Sequence, residues 1–107
     1  CLHDMGDPVG AARHAREHLT DDGVVMLVEP FALDGRATNM VDNPMAALFY
    51  TASSAICAPN SLSQDVGLAL GAQAGEERLS AVMSEAGYST CRRVAETPMN
   101  LILEARA

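Results

Sequence analysis

Apolar and polar positions divide the chain into a short series of elements. Asp7-Pro8 is a helix start, with an aspartate that caps and a proline at a first position where its missing N–H costs nothing. Val9, Ala12, Ala15 and Leu19 then fall on one side at about 100° per residue, and Thr20-Asp21-Asp22-Gly23 ends the helix. Val24 to Val28 is an unbroken apolar run rich in β-branched residues. Such a run predicts a strand covered on both faces, as in a parallel sheet. It ends at Glu29-Pro30, which puts a carboxylate at the carboxyl end of a strand, where open α/β sheets bind ligands.

Residues 31 to 42 read as loop, with a turn at Asp34-Gly35. Asn43-Pro44 repeats the cap-then-proline signal, and Met45, Leu48, Phe49, Ala52 and Ile56 follow at helical spacing. The apolar run from Met45 to Ala58 is too short to cross a membrane and suits a buried helix. The stretch from Pro59 to Gly75 predicts a long connection with a short helix near Leu62 to Leu70. Glu76 and Glu77 favour a helix amino terminus, Leu79, Val82, Met83 and Ala86 form its apolar stripe, and Gly87 ends it. Ser89 to Glu96 and Met99 to Ala105 are strand candidates joined only by Thr97-Pro98, a link that demands an antiparallel pair.

Composition narrows the class. A chain of 107 residues holds one small hydrophobic core, and 49% apolar against 20% charged residues leaves no case for disorder. Seven Lys and Arg, scattered among fourteen Asp and Glu, give a net charge of −7, which argues against phosphate-mediated binding of nucleic acid through this segment. Cys1, Cys57 and Cys91 lie far apart and no secretory signal opens the chain. Free thiols in a reducing cytoplasm are the expectation, with no membrane association.

One string carries possible metal chemistry. His14-x-x-Glu17-His18 has the H-x-x-E-H order of a zinc peptidase class. Helical geometry sets both histidines roughly 115° to 155° from the centre of the apolar stripe. They face solvent with no third ligand, so no metal is expected there.

Leu2-His3-Asp4-Met5-Gly6-Asp7, the helix, Asp22-Gly23 and Val24 to Pro30 resemble the stretch from strand four through strand five of small-molecule O-methyltransferases that use S-adenosylmethionine. Asn43-Pro44, Phe49-Tyr50-Thr51, Ser61-Leu62, Gly75-Glu76-Glu77 and Glu85-Ala86-Gly87-Tyr88 resemble more closely a bacterial methyltransferase group that carries a winged-helix domain before the catalytic domain. The resemblance spans nearly all of the chain.

It implies an α/β fold: the carboxy-terminal half of a Rossmann-like class I methyltransferase sheet, whose strands five, seven and six lie in the order 5-7-6 with the last strand antiparallel. Residues 1–30 would hold the end of strand four, a helix and strand five, residues 31–74 a helical cap insertion, and residues 75–107 the last helix and strands six and seven. The implied activity is methyl transfer to a small-molecule acceptor, a hydroxyl above all.

Site roles follow from the same resemblance. His3 matches the catalytic base and Glu29 the carboxylate that orients it, a division of labour familiar from catalytic triads. Cys1 and Leu2 fall at the cofactor rim, and Met40, Met45, Phe49, Tyr50 and Cys57 in the segment that roofs the acceptor. The second acidic helper of the plant-type enzymes falls on Gln73, which is no acid. No Gly-rich turn follows a strand, and Gly67-x3-Gly71-x3-Gly75 has the wrong spacing for one. S-adenosylmethionine is therefore expected to bind the full-length protein and not this chain alone. A chain starting after strand four would leave an unpaired apolar edge at Val24 to Val28, so the alternative expectation is an interaction module that forms a homodimer or pairs with an amino-terminal half.

Overall fold

Asp7 closes the first turn of the amino-terminal helix, its Oδ1 accepting the Gly10 N–H at 2.8 Å. A Cβ on Gly10 would stand only 2.1 Å from the same carboxylate, so glycine is what lets the cap form. In the computed structural model, which describes residues 1–107, this helix is α1 (Pro8–Glu17). It follows a 3-10 turn at Leu2–Asp4. Of the expected stripe, Ala12 is buried and Val9 and Leu19 are half-buried, while Ala15 faces solvent.

The remaining elements are β1 (Val24–Pro30), α2 (Arg36–Asp42), α3 (Ala46–Ala52), a π-helical turn (Ser53–Cys57), α4 (Ala58–Leu62), α5 (Gly75–Glu85), β2 (Thr90–Glu96) and β3 (Asn100–Arg106). They make a mixed α/β fold with one three-stranded sheet in the order β1-β3-β2. β3 is antiparallel to both neighbours, so β1 and β2 run in the same direction. The Thr97-Pro98 link makes the expected hairpin, closed by Thr97 N–H donating to Asn100 C=O at 2.9 Å.

The core lies between one face of the sheet and helices α1 and α5. Leu101, Leu103 and Ala105 of β3 are fully buried. Leu79, Val82, Met83 and Ala86 pack against the same cluster, as the helical stripe predicts. Gly87, at φ +99°, ends α5 in a conformation that a side chain rarely adopts. Tyr88, buried beneath α1, donates its hydroxyl to Ala12 C=O at 3.1 Å and ties the two helices together.

Four expectations are corrected. β1 is not covered on both faces: Val25 and Leu27 pack on the core, but Val24, Met26 and Val28 are 44%, 71% and 44% exposed. Both core helices lie on one side, and no segment of this chain covers the other. Residues 31–42 are not all loop, because the buried Asn39 side chain builds α2. Its Oδ1 accepts Leu33 N–H at 2.8 Å and its Nδ2 donates to Leu33 C=O at 2.6 Å.

The Met45–Ala58 segment is helical but not buried. Leu48 and Ile56 are 58% and 66% exposed, and the inward positions are Ala46, Ser53 and Cys57. Small residues are required there because the backbone of 69–72 approaches closely: Ser53 Oγ accepts Ala72 N–H and Ser61 Oγ accepts Ala69 N–H, each at 3.0 Å. Finally, Leu62 ends α4 instead of opening a helix. Val66, Gly67 and Ala69 follow with positive φ, which no α-helix accommodates. No helix is long and apolar enough to cross a membrane.

Candidate functional site

β1 carries Glu29 to the carboxyl end of the sheet and buries it to 2% exposure. Facing it is the 3-10 turn that opens the chain. The carboxylate Oε2 is hydrogen-bonded to His3 Nδ1, and Oε1 accepts the main-chain nitrogens of Cys1 and Leu2 at 3.2 and 2.9 Å. A buried carboxylate needs such partners to stay charged. Burial pushes the Glu29 carboxyl up, but the hydrogen bond and charge of His3, with the nitrogen of Cys1, outweigh it and hold the group below its ordinary value.

The turn is positioned from a distant part of the chain. Asn60 Nδ2 donates to Asp4 C=O at 3.0 Å, Ser61 Oγ to Met5 C=O at 2.7 Å, and Gly6 N–H to Gln64 Oε1 at 2.9 Å. Leu68 N–H completes the clamp on Gly6 C=O at 2.9 Å. Thus α4 and the turn after it hold His3 against the end of β1.

His3 has a second partner that the sequence reading did not single out. Its Nε2 lies 3.2 Å from Asp4 Oδ1, so the imidazole spans two carboxylates, one buried and one open to solvent. Cys57 completes the group, its Sγ within 4.8 Å of the ligating atoms of His3 and Asp4. Burial and the neighbouring Asp4 carboxylate push the Cys57 thiol up to about 11. The sequence signal for Asp4 was its place beside His3 in the Leu-His-Asp string; Cys57 was expected only as part of the acceptor roof.

The other predicted residues scatter. Leu2 buries its side chain in the core. The nitrogens of Cys1 and Leu2 are both held by Glu29. Met40 and Tyr50 flank an open groove beside α2 and α3. Tyr50 also borders a cleft of about 250 Å³ together with Arg36, Gly71 and Arg78. Met45 lines a separate groove with Pro44 and Pro98, and half-buried Phe49 lines none of these. The roof residues therefore do not converge on one pocket, and no cleft in this chain is lined by His3 or Glu29.

Gln73 is structural: its Nε2 donates to Phe31 C=O at 2.8 Å and its Oε1 accepts Asn43 Nδ2 at 3.1 Å. His14 on α1 and His18 at its carboxyl cap are exposed, with ring centroids 4.4 Å apart, and the group that could hold a metal ion is His3, Asp4 and Cys57 instead. Compared with known protein families and with curated proteins, the chain gives no match.

Proposed function

We propose that this chain is the acceptor-side portion of an S-adenosylmethionine-dependent methyltransferase of class I, in which His3 is the general base and Glu29 its orienting carboxylate. The observation that carries the reading is the buried His3–Glu29 pair at the carboxyl end of β1. The strand order β1-β3-β2, with the reversed strand in the centre, supports it, because it agrees with the 5-7-6 arrangement of the Rossmann-like sheet that the resemblance implies.

In the full-length protein S-adenosylmethionine would supply the methyl group. Cys1 and Leu2 would stand at the rim of its site, and the Gly-rich turn that would cradle it would come from residues outside this chain. What this chain contributes is proton chemistry. With Nδ1–H donating to Glu29, the Nε2 lone pair is the atom available to take a proton from an acceptor hydroxyl. Once protonated, Nε2–H would donate to Asp4, whose carboxylate would stabilise the imidazolium. The three free thiols suit the cytoplasmic setting proposed for it.

The test is methyl transfer by the full-length protein to a panel of phenols and other small hydroxyl acceptors. His3→Gln is expected to lower turnover about 10²- to 10⁴-fold, the usual contribution of general acid–base catalysis, with cofactor affinity unchanged. Unchanged turnover would remove His3 from the reaction.

A second reading, as an interaction module, is favoured by the bare edge of β1 and its exposed Val24, Met26 and Val28. An apolar edge of this kind pairs readily with another chain, either a second copy or an amino-terminal half of the sheet.

A further inference from the structure

His3, Asp4 and Cys57 come together from two separated parts of the chain, and their donor atoms are an imidazole nitrogen, a carboxylate oxygen and a thiol sulfur. That mixture suits a cation of borderline softness and not Mg²⁺ or Ca²⁺, which prefer oxygen alone. We infer that His3 Nε2, Asp4 Oδ1 and Cys57 Sγ form a three-residue site for one Zn²⁺ ion, with its fourth position open.

The spacing fits. Nitrogen and oxygen ligands about 2.0–2.1 Å from a tetrahedral zinc stand roughly 3.3 Å apart, and His3 Nε2 and Asp4 Oδ1 are 3.2 Å apart. The thiol, within 4.8 Å of a ligating atom of each of these two residues, has to approach by roughly an ångström to reach zinc–sulfur distance. Cys57 is the last residue of the π-helical turn, a local widening of the helix that often occurs at functional sites.

The surroundings are those of a metal centre. Glu29 holds His3 Nδ1, which fixes the ring and leaves Nε2 facing the site, the carboxylate–histidine–metal arrangement that tunes zinc ligands. Asn60 fixes Asp4 through its carbonyl. His3 and Cys57 are buried, whereas the Asp4 side chain is 38% exposed, so a cation would enter past Asp4. A thiolate and a carboxylate would balance the two charges of the ion. The site stands on its own donors and competes with the methyl-transfer reading for one atom: while zinc is on His3 Nε2, the lone pair that a base needs is taken, so the loaded site would replace the proton transfer.

Metal binding itself is the test. The purified, reduced protein is titrated with Co²⁺ as a spectroscopic stand-in, and Zn²⁺ is used to displace it. One equivalent should bind, with a near-ultraviolet sulfur-to-cobalt charge-transfer band that Cys57→Ser abolishes. Asp4→Asn, at a position open to solvent, should weaken zinc binding without disturbing the fold. Glu29→Gln should weaken it about 10- to 100-fold, as loss of an outer partner does, and His14→Ala should change nothing. The inference is overturned if the native protein shows no sulfur band, or if the band survives Cys57→Ser and so belongs to Cys1 or Cys91. It also fails if Asp4→Asn leaves zinc affinity unchanged. A failure of methyl transfer leaves these outcomes untouched.

Discussion

Glu29 is the residue on which the candidate site turns, because one carboxylate satisfies an imidazole and two main-chain nitrogens in a place that water does not reach. Removing one partner of a buried pair leaves the other uncompensated. Glu29→Ala is therefore expected to cost about 3 kcal/mol in denaturant unfolding; a loss indistinguishable from zero would mean that His3 is held by other contacts. Because the folded carboxyl lies below its ordinary value of 4.5, its contribution is fully present above that value. It is lost as the pH falls from there through the lower folded value, so wild type should lose stability in that acid window more steeply than Glu29→Gln. Little of this geometry was legible in residue order alone. The strand-end position of Glu29 was, but its pairing with His3 came through a family resemblance, and Asp4 and Cys57 joined the site through contacts spanning more than fifty residues, such as Asn60 to Asp4.

Among the elements, those whose residues obey one period were legible: the apolar run of β1, the stripe of α5 and the two strands about Thr97-Pro98 all lie where the pattern sets them. α2 was not, because its stability comes from a polar side chain. Asn39 is fully buried and closes the Leu33 backbone on both sides, a role that hydrophobic periodicity does not register. Asn39→Ala would leave a buried backbone N–H and C=O without partners, at a cost of about 1–3 kcal/mol, measured as a shift in thermal or denaturant midpoint. Asn39→Asp should cost at least as much, since it keeps the acceptor for Leu33 N–H but turns a carboxylate oxygen on the buried Leu33 C=O. An unchanged midpoint in Asn39→Ala would show that packing and not hydrogen bonding holds this segment. The exposed apolar positions of α3 and the π-helical turn have a related cause: Leu48 and Ile56 are at helical spacing, but the small and hydroxyl residues between them are what the neighbouring backbone admits.

At the scale of the molecule the sheet is asymmetric. The β2 edge is guarded by Arg92 and Arg93, paired with Glu104, Glu76 and Glu96, and broken by a register shift between Arg93 and Ala95. These are features that keep an edge from pairing with another chain. The β1 edge has no such guard, and its outward side chains are Val24, Met26 and Val28. This chain should therefore self-associate in sedimentation, and Met26→Lys should shift it toward monomer with little loss of stability, since that side chain is 71% exposed and lies opposite Glu104. A native monomer at high concentration would count against pairing through this edge. The sequence anticipated the bare edge but expected both faces of β1 to be covered, because an apolar run does not reveal whether its second cover belongs to the same chain.

In the proposed function the His3–Glu29 pair serves as base and orienter for methyl transfer. This role is tested most directly by the pH dependence of methyl transfer in the full-length protein, compared for wild type, His3→Gln and Glu29→Gln. Wild-type turnover should rise with a single ionisation, His3→Gln should remove this limb together with most of the turnover, and Glu29→Gln should shift it. Identical profiles in the three proteins would contradict it.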